Sequence, residues 1–389
     1  MIPFTIRPTQ PAPASLKPGY QVQLDGLRGL AILSVLIHHF EVHMPLWLDW
    51  GPVGVRLFFL LSGYLITLSV WKIIQPDLAA GALWKGIGSF HLKRAVRLLP
   101  VLYLMLFVGV LMGLPEIQEG FVWHAAFLTN FYTLAQDEWP GAASHLWSLS
   151  VQEQFYVFWP FLLIVVPRRI LPWTLLGLVL FAFGYRYYCW STDASVLMRW
   201  LMLPGVIDSF AMGSLVACWK SAGQPFSITK GWTRHAWMLA AIAAYCGARV
   251  LRLFTFPSES PPAWLAIVES LENFALAWVL LRTVAGWNGW LGALLSNRWL
   301  CYIGKISFGL YIFHVLIHVA FSPWLTTFGI LDSRARAIIL ILGTLGVASI
   351  SWHSMEAPLS ALMKRRRTPR KNTSDTAEGN ASPTNPHEI

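Results

Sequence analysis

A bundle of about ten membrane-spanning helices is the fold this sequence predicts, and three observations predict it. Of the 389 residues, 56% are hydrophobic and only 12% charged, against about a quarter charged in a soluble globular chain. Apolar runs of the roughly 20 residues that a helix needs to cross the hydrocarbon core recur along the chain. The cations fall on alternate connections, as the positive-inside rule requires. The expected class is an all-α, polytopic integral membrane protein.

The candidate spans lie near residues 26–43, 52–71, 98–115, 150–167, 170–187, 201–219, 235–251, 263–284, 302–322 and 336–355. Residues 1–20 are polar and contain prolines, without the charged start and short apolar core of a cleavable signal; they are read as a cytoplasmic N-terminal segment. Residues 21–363 form one transmembrane domain. From Lys364 the run KRRRTPRK and the polar stretch TSDTAEGNASPTNPHEI read as a disordered cytoplasmic tail over residues 364–389. Connections are short except at 72–97, which ends in HLKRAVR, and at 116–149, which contains FVWHAAFLTNFYTLA. That apolar piece is short for a span and is read as interfacial or re-entrant. No fixed-period repeat, phosphate loop, metalloprotease helix or Gly-x-Ser-x-Gly elbow occurs.

The net charge of +10 does not point to nucleic acid, because of where the charge sits. With the N-terminus inside, about 22 of the 29 Lys and Arg fall on the cytoplasmic side. The external loops take acids such as Glu41, Asp49, Glu116, Glu119, Asp137, Glu138 and Asp332. The basic excess is a topology signal and a contact for lipid headgroups. Both termini are expected in the cytoplasm of a bacterial inner membrane. The four cysteines (Cys189, Cys218, Cys246, Cys301) lie in or beside spans and read as small core residues.

The first span, LDGLRGLAILSVLIHHF, carries chemistry. Arg28 and His39 are 11 positions apart, about 1100° around a helix and so roughly 20° from one face. His38 lies about 80° away. The rise between Arg28 and His39 is about 16 Å, half of a ~30 Å hydrocarbon core. Asp25 suits an N-cap. A neutral imidazole at that depth can act as a general base toward an alcohol; the plainer alternative is a histidine that hydrogen-bonds a neighbouring helix.

These residues resemble the opening of the membrane-bound acyltransferase family 3, whose members place an arginine, ten residues and then a histidine in the first span. GVRLFFLLSGYLIT (54–67) is similar to the family's second-span motif, with Arg56 where many members have Asp. FHLKRAVRLLP (90–100) matches its Arg-x-x-Arg element at Arg94 and Arg97. HLWSLSVQEQFYVFWP (145–160) resembles its Trp-Ser-Leu-x-x-Glu-x-x-Phe-Tyr signature, with Gln152 in place of a first glutamate and Glu153 as the second. IDSFAMGSL around Asp208, ISFGLYIFH ending at His314 and MEAPLS around Glu356 are similar too. The ordered set runs from about residue 20 to 365. No soluble esterase domain follows it, as one does in some members.

The resemblance implies an O-acyltransferase that takes an acyl group, most simply acetyl, from cytoplasmic acyl-CoA to a carbohydrate hydroxyl on a free or lipid-linked glycan. Acetyl-CoA is then a donor substrate, and no permanently bound cofactor is expected. His39 is the expected base. Arg94 and Arg97, with Arg28, would receive the donor's phosphates through paired guanidinium donors; plain positive-inside topology also explains them. Glu153 is the expected acid at the external entrance, orienting a histidine or the acceptor. It also fits a capping box with Ser150 as N-cap. His314 and His318 have a ligand-like spacing, but no cluster completes a metal site, and His314 reads as a pocket histidine. Asp208 is left open, and Glu269 and Glu272 suit structural ion pairs. Ser62 and Tyr64 flank Gly63, which suits close helix approach. A proton-coupled solute transporter, using the same buried histidines and acids, is the alternative.

Overall fold

The computed structural model describes residues 21–40, 50–74, 79–192, 194–222, 242–243, 245–247 and 262–365. Residues 1–20, most of the expected span at 235–251 and the tail beyond residue 365 lie outside the described residues. Every regular element among those described is helical. In chain order they are α1 (Val22–His39), α2 (Trp50–Trp71), α3 (Ala80–Leu111), α4 (Pro115–Glu119), α5 (Phe121–Ala125), α6 (Thr129–Gln136), α7 (Leu146–Val165), α8 (Leu171–Ser191), α9 (Val196–Leu201) and α10 (Leu203–Ser221). They continue with α11 (Pro262–Ala285), α12 (Gly289–Leu295), α13 (Arg298–Lys305), α14 (Ser307–Thr327), α15 (Ser333–Ser351) and α16 (Ala357–Arg365). A π-helical turn, Trp352–Glu356, joins the last two.

Five described segments are long and apolar enough to cross a membrane: Trp50–Trp71, Ala80–Leu111, Leu197–Ser221, Ser307–Thr327 and Ser333–Met363. The sequence leads one to expect about ten. Helices α1, α7, α8 and α11 are 18 to 24 residues long and coincide with four further expected spans. Their load of polar and aromatic side chains makes them less apolar. Outward-facing Val165, Trp173, Leu180, Ile338 and Ile350 are exposed, which suits contact with lipid. The stretch 121–135 does not span: it forms the short helices α5 and α6, with α6 packed on α7.

Two apolar clusters hold the bundle. One joins α2, α7, α8 and α10 around Phe59, Phe155, Trp159 and Phe210; the rings of Phe59 and Phe155 stack on Phe210 at 4.6 and 4.1 Å. The other joins α1, α3, α14 and α15 around Leu36, Met105, Leu310 and Phe313. In the first, α2 and α10 meet backbone to backbone. A Cβ on Gly63 would stand 2.0 Å from the Phe210 carbonyl oxygen, and one on Gly213 would stand 2.0 Å from that of Leu60. Small residues at such a crossing let membrane helices approach closely.

A buried ion network ties the first cluster to α11. Arg56 pairs with Glu272 at 3.2 Å and Glu269 at 3.7 Å. Arg186 pairs with Asp208 at 2.8 Å and Glu269 at 3.2 Å, and donates to the Gly205 carbonyl at 2.7 Å. Asn273 Nδ2 donates at 2.8 Å to Asp208 Oδ2, the oxygen that Arg186 also meets, and Asp208 Oδ1 accepts the Ser209 backbone N–H at 2.9 Å. The departure at Arg56 thus has a structural reason: it neutralises two glutamates one helical turn apart. Asp208, left open by the sequence, belongs to this network.

Candidate active site

Helix α1 presents Arg28 and His39 to the same neighbour, as an 11-residue spacing requires. The Arg28 Nη2 donates to Ser307 Oγ at 3.4 Å, and the His39 ring lies 4.8 Å from that of His314; both partners sit on α14. Asp25 is not the N-cap, because the helix starts earlier, after Gln21. Asp25 lies in its first turn, where a negative charge meets the positive end of the helix dipole.

Beside this helix a cavity of about 1290 Å³ opens between α2, α3, α7, α14 and α16, above the usual size of a small-ligand pocket. Five cationic side chains line it, Arg28, Lys72, Lys93, Arg94 and Arg97, and no described Asp or Glu does. Ser62, Ser148, Gln152, Tyr156 and Tyr311 add hydroxyl and amide groups. Charge of one sign lining a cleft attracts the opposite one, so this wall favours an anion over a cation.

The two arginines of the basic element have different surroundings. Arg94 Nη2 meets Glu153 Oε1 at 3.1 Å, and its guanidinium lies over the Tyr156 ring at 3.4 Å. Arg97 has no ion pair among the described residues, and its nearest charged neighbours include Arg28 and Glu356. Tyr156 in turn shares a hydrogen bond with Ser62 at 2.7 Å, and the Gln152 amide donates to both hydroxyls. Gln152 therefore serves as a neutral brace for the arginine's aromatic partner.

Glu153 pairs with Arg94 and lines a smaller cavity of about 480 Å³ that this arginine and His91 also line. The capping box does not form, because α7 begins at Leu146 and Ser150 lies inside it. The Ser150 hydroxyl instead donates to the Leu146 carbonyl and accepts the Thr129 backbone N–H at 3.2 Å. This bond, with Asn130 donating to the Leu201 carbonyl at 3.1 Å, fastens the α5–α6 loop to the bundle. In that loop His124 Nε2 donates to the Glu116 carbonyl at 3.1 Å and Nδ1 accepts from Thr129 Oγ1 at 3.0 Å. Burial lowers the pKa of His124 below the usual imidazole value.

Two neighbours of the imidazoles were not singled out from the sequence. His145 immediately precedes α7, its ring 4.9 Å from that of His314. Tyr311 donates to the His145 carbonyl at 2.8 Å and shares a hydrogen bond with Ser148 at 2.6 Å. Both stood inside quoted motifs, HLWSLS and ISFGLYIFH, but nothing in their spacing links two segments more than 160 positions apart. Tyr311 lines the cavity, whereas His39, His145 and His314 do not. Tyr311 thus stands at the boundary between cavity and imidazoles. No group of three His, Cys, Asp or Glu that could hold a metal occurs among the described residues.

The fold and site define the class: a helical membrane protein with a cavity lined by five cations and by no described acid, beside clustered imidazoles. Residues 21–353 match the family model described as an acyltransferase domain, and the chain belongs to that family, the acyltransferase family 3. It is 28% identical over 372 residues to the peptidoglycan O-acetyltransferase OatA of Listeria monocytogenes, covering 87% of this chain and 56% of that protein. It is 26% identical over 372 residues to YrhL of Bacillus subtilis, named a "putative peptidoglycan O-acetyltransferase", covering 86% and 54%. A Staphylococcus aureus protein named a "putative O-acetyltransferase", SAS0844, is 25% identical over 322 residues, covering 77% and 50%. The chain spans about half the length of these curated relatives. No solved structure matches it.

Proposed function

We propose that the protein moves an acetyl group from acetyl-CoA, entering from the cytoplasm, to a hydroxyl of a carbohydrate at the outer side of a bacterial plasma membrane. The observation that carries this reading is the cavity wall: five cations and no described acid, on a chain whose family transfers acyl groups. Coenzyme A is a polyanion, and guanidinium forks suit phosphates. The mouth is formed by Lys72, Lys93 and residues of α16, all on the side that charge bias assigns to the cytoplasm, with about ten spans and both termini inside. The names of the relatives favour a cell-wall glycan, free or lipid-linked, as acceptor.

In this reading Arg97 and Arg28 hold the donor's phosphates, and Arg94 contributes from a position that Glu153 and Tyr156 fix. Glu153 is then a positioning residue for Arg94. The acyl end reaches past Tyr311 to the imidazoles. His39 takes the proton of the acceptor hydroxyl, the oxygen bonds to the thioester carbonyl carbon, the carbon–sulfur bond breaks, and the departing thiolate receives the proton. The products are the acetyl ester and free coenzyme A.

The test uses the full chain in proteoliposomes with acetyl-labelled acetyl-CoA and a cell-wall glycan acceptor. Label enters the glycan, its mass rises by one acetyl group, and His39→Ala lowers both to a small residual rate. Uptake of a solute with no acylated product would overturn the reading in favour of transport.

A further inference from the structure

His314 is a buried imidazole with no part in the reaction as written. Its Nδ1 lies 2.7 Å from the Tyr311 carbonyl oxygen. A carbonyl only accepts, so Nδ1 carries the proton and the neutral ring keeps its lone pair on Nε2. That Nε2 is buried and has no hydrogen-bond partner among the described residues. His314 is 0% exposed, so solvent does not reach it. A buried acceptor costs free energy unless a donor meets it, and the ring in contact with it, at 4.8 Å, is His39.

The neighbouring ring repeats the pattern. His145 Nε2 donates to the Ile312 carbonyl at 3.1 Å, which leaves its Nδ1 as a lone pair, also buried and unpartnered among the described residues. Successive carbonyls of α14, those of Tyr311 and Ile312, thus set the tautomers of both histidines. Neither ring has an N–H left to offer. The cluster presents acceptors, and His39 is the member whose own proton is not held by a backbone carbonyl among the described bonds.

We propose that His314 is the positioning residue for His39: its Nε2 accepts the N–H of the His39 ring, and so decides which His39 nitrogen carries the lone pair that faces the acceptor hydroxyl. This rests on the reading of His39 as the base. When His39 takes the hydroxyl proton, its second N–H stays on His314 Nε2, which stabilises the imidazolium until the proton passes to the thiolate. Of the two histidine rings beside His314, that of His145, at 4.9 Å, has its N–H committed to the Ile312 carbonyl, which leaves His39, at 4.8 Å, as the one able to donate.

The experiment measures steady-state transfer from acetyl-CoA to the glycan by the full chain in proteoliposomes. His314→Phe keeps the ring's bulk and removes the acceptor; kcat falls by tenfold or more, on the order expected when the partner of a catalytic base is lost, while KM for donor and acceptor stays within about threefold. His314→Gln places a side-chain carbonyl near the Nε2 position and restores most of the rate. In the His39→Ala background, His314→Phe lowers the residual rate no further, because residues that act as one unit are not additive. Unchanged kcat in His314→Phe, equal loss in His314→Gln, or additive losses with His39→Ala would each overturn the proposal. If His314→Phe does not fold, the Gln variant alone and in the His39→Ala background decides. A wild type that transfers no label sinks the acyltransferase reading itself, a separate result.

Discussion

Arg94 and Arg97 lie one helical turn apart, yet neutralising them separates two roles. Arg94 and Glu153 approach to 3.1 Å with side chains only 24% and 18% exposed. At an effective dielectric constant near 20 that contact has a Coulomb energy of roughly 5 kcal/mol before desolvation. Removing one partner of such a half-desolvated pair strands the other charge and costs about 3–5 kcal/mol when burial is complete, with somewhat less expected here. Arg94→Gln therefore lowers the melting temperature of the detergent-solubilised protein by several degrees and also weakens the donor site. Arg97 has no ion pair among the described residues, and its charged neighbours, Arg28 and Glu356 among them, are of both signs; Arg97→Gln leaves stability little changed. Its effect falls on the donor. Losing one charge-assisted bond to a phosphate, about 1.5–3 kcal/mol, raises KM for acetyl-CoA by about ten- to a hundredfold with kcat little altered. Thermal unfolding followed by intrinsic fluorescence, beside kinetics with the donor varied, reads both. Equal destabilisation by the two variants, or an unchanged donor KM in Arg97→Gln, would refute the division of labour.

Arg186→Leu strands Asp208 in the core, leaves Glu269 with Arg56 as its remaining ion-pair partner among the described residues, and is expected to cost about 3–5 kcal/mol, seen as loss of folded protein on size exclusion; adding Asp208→Asn recovers part of it. Gly63→Leu drives a side chain into the Phe210 backbone, which cannot retreat, so the protein fails to accumulate in the membrane, whereas Gly177→Leu, with nothing within 4 Å of its Cβ, is tolerated. The α5–α6 loop is pH-sensitive through His124. Its folded-state pKa is depressed, so the unfolded state binds more protons in the window between the two values and stability rises with pH there. The contribution is complete above the unfolded value near 6.5 and fades as pH falls through the folded one. Protection of residues 115–136 against hydrogen exchange, taken relative to the intrinsic rate at each pH, falls on acidification in the wild type and not in His124→Gln.

The periodic parts of this structure were readable from the chain. An 11-residue gap on a regular helix puts Arg28 and His39 on one face whatever surrounds it, and apolar runs mark the long helices. Places where a polar side chain chooses among partners were not readable. Glu153 meets Arg94 across 59 positions, and Ser150 reaches back to a loop 21 residues earlier. Sequence spacing made a capping box plausible because α7 looked as if it started at Ser150; it starts a turn sooner, at Leu146. Tyr311 and His145 gained their importance only when α14 was laid against the start of α7. Arg56 looked like the loss of a family acid until α11 supplied its two glutamates.

The mutual fit of Gly63 and Gly213 has a mechanical consequence. Helices touching through main-chain atoms have no side-chain cushion to compress, so the α2–α10 half behaves as a keel. The cavity borrows one flank from that half, through Phe59 and Ile66, and the other from α3, α14 and α16. Whatever breathing admits and releases a bulky ligand must come from the second flank, swinging against a wall that stays still.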